Sequence, residues 1–354
     1  MKHLIWIIAL GLCACDGDDP RTDLRRPLLE AWVVDFALPQ YQELVNRAEA
    51  LETAATALCA SPSEDSLLAA RDAWMDARQP WEEAEVFTFG PLLDFPLRLL
   101  PVIEFRPTRP EAVEGILTGE QALTLEAVHL LGAPARGFPA LEVLLFTAEP
   151  AAFVTDGRRC DYLSLVAADL IANATLLVEA WSPTGGNYQS QLVDAGAGSE
   201  AFMSLQEGVA KVVNRMWQHV EKIREIELGK PAGLDGGPMS DEGVESRFSG
   251  RSIVDITDTL VGISAVYEGV GEGLGLRDLI AAQGKDFDVE FRTRLDAGVD
   301  AVEAIGDPLT TAVFERVDAV QNAVDVLAEL QRLIQVDIMG ALSLSLSFND
   351  SDGD

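Results

Sequence analysis

The stretch that decides the fold is residues 309–338, LTTAVFERVDAVQNAVDVLAELQRLIQVDI. Leu309, Val313, Val317, Val320, Val324, Leu327, Leu330, Ile334 and Ile338 recur at steps of three and four, which places one apolar stripe on a 3.6-residue helix. The same period appears upstream. Tyr41, Leu44, Val45, Ala48, Leu51, Ala55 and Leu58 form one stripe. Tyr162, Val166, Leu170, Leu177 and Trp181 form a second, and Phe202 to Ile223 carries a third. Phe287, Phe291, Leu295, Val299, Val302 and Ile305 form a fourth. Strand-like alternation is confined to Leu342, Leu344, Leu346 and Phe348. The expected class is all-α, two helical bundles packed together.

Residues 182–199 and 229–243 lack the period and are rich in turn formers. The first is the better boundary, because a long amphipathic helix starts just after it. The division expected is a bundle over 28–183, a linker over 184–199 and a bundle over 200–354.

The chain has 354 residues, 48% apolar, with 26 Lys and Arg against 58 Asp and Glu, a formal charge of −32. So acidic a surface repels phosphate backbones, and nucleic acid is excluded as a partner. Cations, cationic peptides and neutral partners stay open.

The N-terminus reads as an export signal. Lys2 precedes an apolar run from Leu4 to Leu12, too short for a spanning helix, which needs roughly 20 residues. Leu12-Cys13-Ala14-Cys15 resembles a lipobox, with residues 1–14 removed and Cys15 acylated. Residues 15–27 then form a tether, and the protein faces the periplasm from a bacterial membrane, inner or outer being left open. In that oxidising compartment Cys59 and Cys160 are candidates for a disulfide, with two buried thiols as the alternative.

Neither an HExxH helix, a GxSxG elbow nor a P-loop occurs. Glu126 and His129 make one ExxH pair, whereas a ferritin-like di-iron site needs two such pairs and two more Glu, so a solvated helix face is the simpler reading. Arg71, Trp74, Arg78, Trp81 and Glu85 share one helix face if the helix survives Pro80, which should kink it. They read either as an aromatic-lined polar wall or as Trp packing with snorkelling Arg stems. Gly137-Phe138-Pro139-Ala140-Leu141-Glu142 reads as a helix start with Pro139 in the first turn. Glu245, Ser249, Arg251, Ser252 and Asp255 lie within eleven residues. Ser252-x-x-Asp255 looks like a capping box, and the density of polar groups suggests a site. The last residues, FNDSDGD at 348–354, resemble the start of a calcium loop but lack the closing Glu and read as an acidic tail.

Together these pieces resemble the imelysin-like proteins, the M75 peptidase family. The carriers are Trp74, Arg78, Trp81 and Glu85 ending in Phe89-Gly90-Pro91, then GFPALEVLLF at 137–146, Glu245-Ser246 with Ser249, Arg251 and Ser252, DTLVGISAVYEG at 258–269, and the C-terminal FNDSDGD. The resemblance implies two bundles with a polar site between them, often lipid-anchored and associated with iron uptake. It implies a Gly-x-His-x-x-Glu signature with a metal-holding His and Glu. Here Pro139 stands in the His place while Gly137 and Glu142 remain, a GxPALE sub-branch form. Proline offers no donor atom, and a zinc-type site needs about three protein ligands. Iron or another metal held by oxygens alone stays open, with Glu85, Glu142, Glu245 and Asp255 as candidate ligands and Glu142 foremost. The expectation is therefore a non-enzymatic, lipid-anchored binding or accessory protein linked to iron uptake and its components. Its site would hold Trp81, Glu85, Gly137, Pro139, Glu142, Glu245, Ser249, Arg251, Ser252 and Asp255. The alternatives are an M75-type metallopeptidase using Glu142, and an interaction protein with a vestigial cleft.

Overall fold

The structure, a computed structural model, describes residues 23–306 and 308–347. Cys15, the signal segment and the FNDSDGD tail lie outside these residues. Eight helices of ten residues or more build the core: α1 (Leu38–Ala60), α2 (Glu64–Glu83), α3 (Gly137–Phe146), α4 (Gly157–Trp181), α5 (Leu205–Lys222), α6 (Ser252–Glu268), α7 (Asp288–Glu303) and α8 (Val317–Arg332). No strand occurs among the described residues.

Helices α1, α2, α3 and α4 pack as one bundle, and α5, α6, α7 and α8 as a second. The predicted stripes are the buried faces: Tyr41 to Leu58 on α1, Tyr162 to Trp181 on α4, and Val320, Leu327 and Leu330 on α8, where Val317 and Val324 are half-buried. Helix α4 is apolar and long enough to cross a membrane by length and composition. Its inward face is core, and its buried Asp169 is paired with Arg136. It reads as the central helix of a bundle.

Three helices have π-helical extensions. Trp32–Ala37 leads into α1, Ile223–Gly229 follows α5, and Leu333–Ile338 follows α8. The helix ahead of α1 begins at Arg25, so residues 25–27, expected in the tether, are its first turn. Arg26 Nη1 donates to Asp194 Oδ1 and to the Val193 carbonyl, both at 2.6 Å. The linker expected over 184–199 contains a short helix, Gln189–Val193, that packs on this first helix.

Helix α2 runs through Pro80 without ending. Proline removes the N–H that would bond the Asp76 carbonyl. Arg47 Nη1 donates to that carbonyl at 3.0 Å instead. Cys59 and Cys160 are bonded and tie the end of α1 to the start of α4.

The two bundles meet where α6 crosses α2. A Cβ at Gly262 would fall 2.0 Å from the Glu83 carbonyl oxygen, so only glycine permits this approach. Trp32 Nε1 donates to the Val266 carbonyl at 2.9 Å alongside it. Of the residues expected to alternate as a strand, Leu342 lies in a turn, 344–347 have no regular structure, and Phe348 is outside the described residues; residues 344–347 pair with no strand. They lie along α5, where Asn214 Nδ2 donates to the Ser345 carbonyl and Asn214 Oδ1 accepts from the Ser347 N–H.

Candidate functional site

At the junction of the bundles the polar residues of α2 turn inward. Arg78 is fully buried and does not snorkel. Its guanidinium contacts Glu82 and Glu104 from the first half of the chain. It also reaches Glu245 at 2.8 Å and Asp255 at 3.1 Å from the second half. Arg106 contacts Glu104 and lies 2.9 Å from Glu245. Lys222, at the end of α5, lies 2.9 Å from Glu85 and 2.8 Å from Glu227. Arg251 contacts Asp255 and lies 2.6 Å from Asp258. Lys222 also lies 3.9 Å from Glu245, so these seven carboxylates and four cations form one continuous network.

Local structure explains how each side chain arrives. Glu82 follows Arg78 by one helical turn on α2. Glu85 sits in the 3₁₀ turn Ala84–Phe87 that closes α2. Glu227 lies in the π-helical turn after α5, which holds it beside Lys222. Ser246 has a left-handed φ of +48° and is fully buried. Such a conformation is costly for a residue with a Cβ and persists only when its surroundings hold it. Here the Ser246 hydroxyl donates to Asp255.

Glu142 sits beside this network on α3 and is fully buried. Its Oε1 accepts from the Phe248 N–H at 3.1 Å, and from the Ser249 N–H and Oγ, both at 3.0 Å. Its Oε2 has no hydrogen-bond partner. Gly137, at the start of α3, has φ +66°, and a Cβ there would fall 2.2 Å from the Ile103 carbonyl. Pro139 is buried in the first turn. Trp81 is buried with its Nε1 unpartnered.

The capping box expected at Ser252 is not formed. Arg251 is the N-cap, Ser252 is the first helical residue, and its hydroxyl donates to the Glu245 carbonyl. Asp255 is consumed by Arg78, Arg251 and Ser246. Glu126 and His129 are exposed, as a solvated face requires, and His129 has a partner besides. Its Nδ1 contacts Asp169, which also binds Arg136 in a fork, at 2.8 and 2.7 Å.

Burial and charge pull the carboxylates apart. Burial holds Glu82, Glu104 and Glu142 above the ordinary Glu range, lifts Glu227 to about 7, and lifts Asp258 to about 6. Burial also opposes ionisation of Glu85, Glu245 and Asp255. Lys222 and His219 outweigh it at Glu85, Arg106, Lys222 and Arg78 at Glu245, and Arg78 and Arg251 at Asp255, so all three fall below their usual values.

Of the expected residues, Glu85, Glu245, Arg251 and Asp255 belong to the network, and Ser252 and Ser249 brace it. Glu142 and Ser249 bond to each other. Gly137, Pro139 and Trp81 are buried nearby and contribute no hydrogen bond to the network, the Trp81 Nε1 being unpartnered. Glu82, Glu104, Arg106, Lys222, Glu227, Ser246 and Asp258 were not expected. Glu82 had a readable signal, its place one turn after Arg78 on a face already singled out. Lys222 stood in the last turn of the third stripe. Glu104 and Arg106 lie in an irregular stretch without a period.

The family model described as Imelysin, Peptidase_M75, matches residues 37–335. The chain belongs to the imelysin family. It is 26% identical over 251 residues to Iron-regulated protein A of Synechococcus elongatus, covering 68% of this chain. The match spans 64% of that relative's length. An imelysin-like protein from Psychrobacter arcticum shares the fold, with a TM-score of 0.76 at 22% identity over 92% of this chain and 97% of the other.

The metal-holding pair that the imelysin signature implies does not fit here. Pro139 has no donor atom, and Glu142 Oε1 is saturated by three donors. His129 is held by Asp169 and Arg136, and His219 lies beside Glu85. A different set converges. One oxygen each of Glu82, Glu245 and Asp255 lie within 4.8 Å of one another. With Glu227 and Ser252 they line one narrow internal gap, too small for a water molecule unless the side chains part.

Proposed function

We propose that this imelysin is a non-enzymatic, iron-linked binding protein, lipid-anchored through Cys15 and facing the periplasm. The observation that carries the reading is the gap lined by Glu82, Glu227, Glu245 and Asp255. Arg78, Arg106, Arg251 and Lys222 already contact these four carboxylates, and an entering cation competes with them. Glu82 and Glu227 are pushed toward the protonated form by burial. Carboxylate oxygens suit hard cations such as iron. A cation entering the gap takes the place of the protons on Glu82 and Glu227, so binding and proton release are linked. The iron-regulated relative supports iron as the cargo. The Cys59–Cys160 bond supports an oxidising compartment. The incomplete histidine–glutamate pair speaks against an M75-type metallopeptidase.

The test is calorimetric titration of the chain with Fe³⁺, Fe²⁺ and Zn²⁺, in two buffers of different ionisation enthalpy. Stoichiometric iron binding with proton release, diminished in Glu82→Gln, is expected. Glu142→Ala is expected to keep the site, because Glu142 is outside the gap. Absence of binding to the wild type would sink the iron reading and leave a partner surface. Chelator-sensitive proteolysis would restore the peptidase.

A further inference from the structure

Helix α5 carries two more cations, Lys211 and Arg215, one turn apart and outside the ion-pair network. In a chain with 58 acids and 26 bases, a basic side chain finds a carboxylate easily. These two do not. Among the described residues no carboxylate lies within 4 Å of either. Arg215 is 6% exposed. Its Nε is buried without a hydrogen-bond partner, and its Nη1 donates only to Gln218 Oε1 on the same helix, at 3.1 Å. Lys211 Nζ lies 5.7 Å from the centre of the Phe89 ring. Asp94 acts on both at longer range, and Glu85, already held by Lys222, acts on Arg215. Burial depresses the pKa of both cations despite these acids.

Leaving a buried charge uncompensated is strongly unfavourable. A fork-shaped guanidinium beside an ammonium matches an oxyanion. The surroundings supply room for the rest of a molecule. Phe89 packs against Tyr188 at 6.5 Å between ring centres. Tyr188, Gly90 and Asp94 line a surface groove of about 1020 Å³ together with Phe95 and Leu97.

We propose that Lys211 and Arg215 form a binding site for a small oxyanion, a carboxylate or a phosphate, on the far side of Phe89 from the groove that Tyr188 lines. This site is separate from the carboxylate gap and does not depend on the iron reading.

The test separates two sources of carboxylate. One is a free molecule. The other is the chain itself, because Gln218 Nε2 donates to the carbonyl of Ser347 at 3.1 Å, and Asp350, Asp352 and Asp354 follow.

Citrate and inorganic phosphate are titrated calorimetrically, without metal, into the wild type and into a variant with all three tail aspartates changed to Asn. Saturable binding to the wild type, weakened at least tenfold by Lys211→Gln and by Arg215→Met and reduced by salt, is the expected result. Binding seen in the Asn variant alone identifies the tail carboxylates as the resident oxyanion. Arg215→Lys, which keeps the charge and loses the fork, is expected to weaken binding as well. Arg215→Met is expected to leave thermal stability unchanged or raised, as for a site that trades stability for binding. No saturable heat from either anion in either background would overturn the proposal. A large loss of stability in Arg215→Met with binding intact in Lys211→Gln would do the same.

Discussion

Ser249 gives two hydrogen bonds to Glu142, from its N–H and its hydroxyl, both at 3.0 Å to Oε1, across 107 residues of sequence. The Phe248 N–H adds a third at 3.1 Å. The glutamate of the imelysin signature therefore acts as the receptor for a loop from the other half of the molecule. Glu142→Ala strips the acceptor from two backbone donors and a hydroxyl, and is expected to cost about 2–4 kcal/mol. Glu142→Gln keeps an oxygen in place and is expected to cost about 1 kcal/mol. Urea unfolding of both variants checks this, and equal losses would contradict it.

Arg78 is the cation shared by most carboxylates. Arg78→Met leaves Glu82, Glu104, Glu245 and Asp255 without their common partner, and is expected to cost about 3–5 kcal/mol near neutral pH. Protonating those carboxylates removes the repulsion, so the loss should shrink in acid. A penalty that stays constant with pH would show that Arg78 acts by packing alone.

The stability contributed by Glu227 and Asp258 should fall as pH rises from about 4 to about 7. Glu227 and Asp258 have folded pKa values of about 7 and about 6, above the ordinary 4.5 and 3.8. The folded state binds more protons in that window, so their stabilisation is full below the ordinary values and is lost through the folded ones. Glu85, Glu245 and Asp255 work the other way, because their folded values are depressed. Their contribution is present above the ordinary values and disappears in strong acid. Denaturant midpoints measured across pH should show a dome, and Glu227→Gln should flatten its alkaline side.

Gly262→Ala tests the crossing of the bundles. The added carbon would lie 2.0 Å from the Glu83 carbonyl, which belongs to a helix and cannot step aside cheaply. A loss of about 1–3 kcal/mol is expected, the range for overpacking. Calorimetric melting would read it, and a neutral result would mean that the helices can slide.

The fold was legible because the stripes on α1, α4 and α8 are long, and a sustained 3.6-residue period has one interpretation. The site was legible where a helical period or a dense run of polar residues marked it. Trp81, Glu85 and the 245–255 segment stood out by composition. Glu104 and Arg106 did not, since they lie where no period constrains the backbone. Ser252 was misread for a physical reason. A serine three residues before an acid satisfies the capping pattern, but burial beside Arg78 and Arg251 gave both side chains stronger partners. The role of Arg47 at Pro80 was hidden too, since no local pattern connects a carbonyl freed on one helix with a guanidinium on another.

The position of Arg78 has one further consequence. Its counter-ions come from both sides of the 182–204 stretch, with Glu82 and Glu104 before it and Glu245 and Asp255 after it. Each half pairs some of its own buried charges and supplies further partners for the other's. A chain nicked in that stretch should stay together as two fragments, and fragments made separately should be poorly folded until mixed. The molecule has the outline of two bundles and the cooperativity of one.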